Sequence, residues 1–217
     1  MAIEKEDLEL FLSFRQQNPQ GRNCAILGDC KIYESDIEQF SKLMNFDVVH
    51  TFDINGNPTY KIDLNEELPE HFYDKYDWVI DSGTLYCCFD VSTVLKNISN
   101  MLKEEGCIIH TANLAGFFGR GFYSLSPAFF KDFYSANNYK ILHMATKTRT
   151  SRKWNGINPQ YTYLSKASKD EILFCEDSSG YIPEIPNDSL IFCFSKRKHK
   201  IKFTKPVPEH FIKTNGR

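Results

Sequence analysis

With 217 residues, 26 Lys plus Arg against 28 Asp plus Glu and a formal net charge of −2, the chain is near neutral. This balance excludes the basic footprint of a nucleic-acid binder and the charge excess of a disordered protein, and 18 Phe with 11 Tyr supply a sizeable core. No apolar run approaches the 18 residues of a membrane span, and the N-terminus MAIEKEDLELFLSF mixes acids among its apolar residues, unlike a secretory signal. A soluble, cytoplasmic protein with no membrane insertion and no nucleic-acid partner is expected. The seven cysteines form no CxxC pair. Cys24, Cys107 and Cys193 fall in apolar runs, so reduced structural thiols and no metal site are expected. Cys87-Cys88 is the unusual pair; adjacent thiols do not converge easily on one metal, and a reactive thiol is the alternative reading.

Residues 4 to 17 place Leu8, Phe11 and Leu12 on one helical face, predicting a helix that covers a sheet edge or a ligand cleft. Asn18-Pro19-Gln20-Gly21 ends it. CAILG, residues 24 to 28, reads as a short buried strand; Ser35 and Glu38 then have capping-box spacing before a helical period. FDVVHTFDI is a strand rising to Asp53 and broken by Asn55-Gly56-Asn57-Pro58, and Tyr60 to Leu64 is a brief extended piece. A strand ends at Asp81. Asp90 is a plausible N-cap for a helix with Val91, Val94, Leu95, Ile98, Met101 and Leu102 on its apolar stripe, and Glu105-Gly106 turns it into the strand Cys107 to Thr111. After a glycine-rich segment from Asn113 to Gly121, Ser126-Pro127 opens a helix with Phe129, Phe130, Phe133 and Tyr134 on one face. Tyr139 to Thr146 and Leu190 to Ser195 read as strands, separated by about forty residues without periodicity, a length that is usually functional or hides structure. The tail KRKHKIKFTK reads as a solvated basic end, with contact to an anion or a membrane surface as the alternative.

Strands alternating with helices imply right-handed crossovers and a mostly parallel sheet, in which ligands sit outside the carboxyl ends of the strands. Asp81-Ser82-Gly83 and His110-Thr111 end two such strands. Asp53, 25 residues after Gly28, has the position of a carboxylate that accepts both hydroxyls of a ribose; a capping aspartate before Asn55-Gly56 is the alternative. Gly28 allows close approach of a ligand to the backbone.

The motifs IDLNEELPE, WVIDSGTLYCCFDVSTVLKNISNML with GCIIHTAN, and GFYSLSP together resemble class I S-adenosylmethionine-dependent methyltransferases, and within them a bacterial group that tailors small molecules or cell-surface glycans, including polysaccharide and capsule biosynthesis. The resemblance covers roughly residues 22 to 145 and the strand near Leu190 to Ser195. It implies a Rossmann-like α/β fold with a mostly parallel seven-stranded sheet flanked by helices and an insertion before the last strand. The whole chain, 1–217, would be one domain, with core 22–146 plus 188–198, insertion 147–187 and basic tail 199–217. It implies S-adenosyl-L-methionine as cofactor, with Gly28 and Asp29 near its methionine part, Asp53 at the ribose, Asp63 and the Leu64 backbone at the adenine, and Asp81 and Ser82 at the floor of the transfer site. The usual acidic-GxGxG loop is reduced here to ILGDC. Where relatives carry Glu-His after GTL and a histidine before GFY, this chain has Tyr86-Cys87 and Arg120.

A hydroxyl acceptor must lose a proton, and His110 is the first candidate base because its ordinary pKa lies nearest neutrality; a core histidine is the alternative. Tyr86 and Tyr123 are candidates to orient the acceptor, with packing as the competing role. Asn113, Arg120, Arg149 and Arg152 are candidates to bind it, and guanidinium forks suit an anionic, phosphorylated or sugar-linked small molecule, ordinary surface charge being the alternative. The function expected is methyl transfer to oxygen, less favourably nitrogen, of a small polar acceptor. A non-catalytic cofactor-binding or interaction protein with the same fold is the competing reading, and homo-oligomerisation stays open.

Overall fold

The computed structural model describes residues 2–117, 119–148, 155–157 and 189–208. Its centre is a sheet of β2 (Asn23–Leu27), β4 (Val48–Asp53), β5 (Tyr60–Lys61), β6 (Tyr76–Ser82), β7 (Leu102–Ala115), β8 (Tyr139–Thr148), β9 (Asn155–Ile157) and β10 (Ser189–Arg197). Across the sheet the order is β5-β4-β2-β6-β7-β10-β8-β9. All neighbours from β5 to β7 are parallel, and β10 runs antiparallel between β7 and β8, so that β8 regains the common direction. This is the expected mostly parallel seven-stranded sheet with an antiparallel last strand, extended at one edge by the three residues of β9. After β2 the chain builds outward through β4 and β5, then returns to start β6 on the other side. The carboxyl ends of β2 and β6 therefore flank the crevice where an open α/β sheet takes its ligand.

Alternation along the strands loads both faces. Cys24, Ile26, Trp78, Ile80, Cys107 and Ile109 are buried on one face, where α1 (Lys5–Gln17) lays Phe11 and Phe14 against Phe192 and Phe194 of β10. Ala25, Val79 and Ile108 are buried on the other, under α3 (Val91–Met101) and α4 (Pro127–Ala136). Burying each such large side chain contributes about 1.5–3 kcal/mol. Asp90 caps α3 by accepting from the Thr93 N–H, and Ser126 caps α4 from the Phe129 N–H with Pro127 in the first turn, as the sequence predicts. The helix α2 (Ile37–Leu43) starts one residue later than the Ser35–Glu38 spacing indicates. Asp36 is its N-cap and pairs reciprocally with Gln39, an equivalent box that satisfies the same two backbone donors.

The helix α1 covers the β10 face of the sheet rather than its edge. Ahead of it, β1 (Ala2–Ile3) pairs in parallel with β3 (Lys31–Ile32), just beyond the end of β2. The far end of α1 is tied down by Arg15, whose guanidinium donates to the carbonyls of Asn18, Gln20, Gly21, Met44 and Asn45 and stacks on Phe46 and Trp78. Burial lowers its pKa, with Arg22 adding to the effect. Below it, Asp77 accepts from the Arg22 and Asn23 N–H groups and from Lys103, joining β2, β6 and β7 at their amino ends. Cys24, Cys30, Cys107 and Cys193 are buried free thiols whose pKa values burial pushes up, to about 12 for the last three, which fits the structural role expected of Cys24, Cys107 and Cys193. Among the described residues no helix is long and apolar enough to cross a membrane.

Two stability predictions follow from these ties. Arg15→Leu leaves several carbonyls without their donor and should lower stability by about 2–4 kcal/mol in urea unfolding, and Arg15→Lys should recover little, since an ammonium has three donors and no fork. Burial raises the pKa of Asp77, but the Asn23 N–H, Lys103 and the Arg22 N–H outweigh it, and the net shift is downward. The stabilisation is thus present above the unfolded-state carboxylate pKa and disappears as pH falls through the lower folded value. Asp77→Asn should flatten the acid limb of a stability-versus-pH profile, and an unchanged limb would refute the assignment.

Candidate active site

The rim above β2, β4 and β6 is organised by carboxylates. Gly28 takes φ 96°, open to glycine, and donates its N–H to the Phe52 carbonyl. Asp53 ends β4 and accepts from the Asp29 N–H at 2.7 Å through one oxygen and from the Asn55 N–H at 3.0 Å through the other. It therefore fills the capping role that competed with ribose binding, and each oxygen keeps acceptor capacity besides. The Asp29 carboxylate turns away to accept from the Asn57 N–H, in the space that a Cβ on Gly56 would occupy. Asp63 folds its carboxylate onto the Asn65 backbone and amide, and the Leu64 carbonyl accepts from Asn97. Asn97 is a residue that sequence reasoning missed. Buried on α3, it also binds the Glu66 carbonyl and the Leu68 N–H, so that one amide holds the whole segment after Asp63. Its only sequence signal is an amide within a helix that otherwise turns apolar residues inward. Cys88 lies between these groups: burial first, then Asp81, Cys87, Asp63 and Asp53, pushes its thiol up to about 12.

Pairing of β6 with β7 sets Asp81 opposite His110 and Ser82 opposite Thr111. Since successive side chains point to opposite faces, the two pairs are separated by the sheet. Asp81 is fully buried. One oxygen accepts from the Thr84 and Leu85 N–H groups and caps the 3-10 turn Leu85–Cys87, and the other meets His110 Nδ1 at 2.7 Å. On its far side His110 Nε2 meets the hydroxyl of Tyr134 on α4, whose pKa burial raises well above the phenol range. The Asp81 carboxyl and the Tyr134 hydroxyl thus engage the two ring nitrogens from opposite sides. The imidazole is sealed, with both nitrogens engaged inside the protein and no exposure. His110, the candidate base, therefore lies inside the protein and away from the cavity described next.

Ser82 and Thr111 instead face a cavity of about 450 Å³, which Glu4, Asp7, Tyr86 and Arg120 also line. Ser82 donates to the Ala2 carbonyl, and among the described residues Thr111 Oγ1 is buried without a hydrogen-bond partner. The back wall is held by Lys147, 2% exposed at its side chain, which pairs with Asp7 at 2.7 Å and Glu4 at 3.1 Å. Burial, followed by Cys87 and Asp81, pushes the Tyr86 phenol up to about 12, so it enters the wall as a neutral group. Tyr123 does not line the cavity; its hydroxyl donates to the Phe89 carbonyl and anchors the loop that carries Arg120. Asn113 serves the same loop, with its amide nitrogen on the Gly116 and Tyr123 carbonyls and on Ser124. Arg149 and Arg152 lie outside the described residues. The structure therefore brings together Ser82, Tyr86 and Arg120, gathers Asp53, Asp63 and Asp81 about the neighbouring crevice, and separates His110, Tyr123 and Asn113 from the cavity.

Compared by sequence, the chain matches no protein-family model and no curated protein. Its fold is similar to several solved structures. The N-methyltransferase NodS from Bradyrhizobium japonicum WM9, in complex with S-adenosyl-L-homocysteine, superposes with a TM-score of 0.53 at 8% identity over 90% of this chain and 89% of that one. The 1,6-didemethyltoxoflavin-N1-methyltransferase of Burkholderia thailandensis, with bound 1,6-didemethyltoxoflavin and S-adenosylhomocysteine, gives 0.55 at 8% identity over 88% and 78%. An O-methyltransferase from a trans-AT PKS multienzyme of Brevibacillus brevis, in complex with S-adenosyl-L-homocysteine, gives 0.54 at 12% identity over 88% and 71%. The fold is that of the class I S-adenosylmethionine-dependent methyltransferases.

His110→Ala should leave the Asp81 carboxylate buried beside a void and destabilise the protein by about 3 kcal/mol in urea unfolding. A variant with the parental midpoint but little turnover would return His110 to the chemistry.

Proposed function

We propose that the protein is a cytoplasmic S-adenosylmethionine-dependent methyltransferase acting on an oxygen, less favourably a nitrogen, of a small polar acceptor. The observation that carries this reading is the adjacency, on one rim of the sheet, of the carboxylate-flanked crevice and the cavity that begins at the next residues, Ser82 and Gly83. The residues present suit the donor. Gly28 leaves room at the backbone, the spare lone pairs of Asp53 suit two ribose hydroxyls, and the segment Asp63-Leu64, pinned by Asn97, suits the adenine. Asp29 contributes its backbone, since its carboxylate is committed to Asn57. Asp81 contributes by shaping the floor through the turn it caps.

When bound, the donor supplies a methyl group on a sulfonium, for which no covalent enzyme intermediate is needed. The chain's own task is positioning: Ser82, Tyr86 and Thr111 shape the cavity, Arg120 attracts negative charge, and the N-terminal segment with Lys147 closes it against water. In this reading the whole chain, 1–217, is one methyltransferase domain with 147–187 as an insertion. Tailoring of a cell-surface glycan is one narrower form of it, and of the three arginines invoked for a sugar-linked or phosphorylated acceptor, Arg120 is the one within the described residues. A cofactor-binding interaction protein would use the crevice and leave the cavity without a role.

Titration calorimetry with S-adenosylmethionine, S-adenosylhomocysteine and NAD tests the reading, with binding of the first two and not the third as the expected outcome. Asp53→Ala should weaken both by about tenfold or more, because hydrogen bonds to a charged acceptor contribute about 1.5–3 kcal/mol. Unchanged affinity in a folded variant would reject the ribose role.

A further inference from the structure

We propose that the acceptor is a planar anion, methylated on its negative oxygen, which lies against Phe89 and Phe122 and meets Arg120 and the Thr111 hydroxyl. This inference rests on the methyltransferase reading and narrows its acceptor. Phe89 and Phe122 are 69% and 62% exposed, yet they are not loose. Their rings meet edge to face at 5.4 Å, the Phe122 N–H donates to the Tyr86 carbonyl at 2.8 Å, and the Tyr123 hydroxyl holds the Phe89 carbonyl. Gly121, at φ 73°, packs so closely on Tyr86 that a Cβ there would lie 2.4 Å from its ring, which fixes the loop. Each phenylalanine stands one or two residues beyond a residue of the cavity wall, Phe122 after Gly121 and Phe89 after Cys87. The exposed pair thus follows the cavity wall in sequence on both sides, and each ring offers an apolar face. A flat π-face suits such a surface better than a sugar ring, whose hydroxyls would lose water against phenylalanine without finding partners.

Charge and proton supply the rest. Among the described residues Arg120 has no ion-pair partner, and Thr111, 6% exposed, presents a hydroxyl whose hydrogen bond is unmade. Both are donors suited to a negative oxygen. Among the described residues no imidazole lines the cavity; the ionisable groups there are Glu4 and Asp7, both bound to Lys147, with Tyr86, Cys87 and Arg120. An oxygen that arrives already ionised, as a carboxylate, phenolate or enolate, needs no base. Its own electron pair forms the new O–C bond, the S–C bond of the donor breaks with its pair left on sulfur, the opposite charges cancel, and no proton moves.

Calorimetric titration of the whole chain, without donor, with naphthoate, cyclohexanecarboxylate and a glucose phosphate separates flatness from charge. Naphthoate should bind most tightly. Phe122→Ala, Phe89→Ala and Arg120→Gln should each weaken it by about tenfold or more, Thr111→Val should weaken it several-fold, and Phe122→Trp should retain it. All five substitutions are checked for folding by their urea midpoints. Cyclohexanecarboxylate or the glucose phosphate binding as tightly as naphthoate, or naphthoate affinity indifferent to Phe122→Ala, overturns the proposal. A parallel titration with S-adenosylhomocysteine separates the two levels: its binding with no naphthoate affinity sinks this inference alone, and its failure with naphthoate bound sinks the methyltransferase reading.

Discussion

The buried carboxylate of Asp81 is the constraint on which the site depends. A carboxylate removed from water must have its lone pairs occupied, and here two backbone N–H groups and an imidazole occupy them. Those three bonds determine where the chain goes next. The first two start the turn that carries Tyr86 and Cys87, and the third fixes β6 to β7 by side chains as well as by the ladder and passes through Tyr134 to α4. Thr84, in the same turn, donates its hydroxyl to the Leu27 carbonyl and so joins the end of β2 to the arrangement. The crevice between β2 and β6 and the cavity beyond β7 are thus two sides of one hydrogen-bonded knot.

Most of the architecture was legible because its signals are local or periodic. Asp90 and Ser126 start helices for reasons contained within four residues, and the β-α alternation to Thr111 predicts the sheet. The site was less legible because it depends on register. His110 and Thr111 are neighbours in sequence and lie at the end of the same strand, so chemistry alone favours the imidazole. A period of two assigns the imidazole to the α4 face and the hydroxyl to the cavity. No local rule indicates which face will be open, since that is decided by where α1 and the N-terminal segment dock. Asn97 was hidden for a similar reason, its partners lying about thirty residues away in an irregular segment. The role of Lys147 requires Asp7 and Glu4, from the opposite end of the chain.

Two buried cations illustrate different uses of the same material. Arg15 spends its five donors on carbonyls at the ends of α1 and α2 and has an architectural function away from the rim. Lys147 instead has acidic partners at the cavity wall, where its point charge pairs with two carboxylates.

The position of β10 between β7 and β8 has a consequence for the order in which the protein can assemble. The strand that fills this half of the sheet, Ser189–Arg197, is made after both strands it joins, yet it carries Phe192 and Phe194, against which α1 packs. The helix must therefore wait for a strand made long after it. Until it arrives β7 and β8 each present an unpaired edge, and Phe11 and Phe14 of α1 lack the rings they pack against. Contacts of such long sequence separation slow folding, and exposed strand edges in the waiting chain are sites of aggregation. Completion of the sheet is in this sense a signal that the chain through Arg197 has arrived.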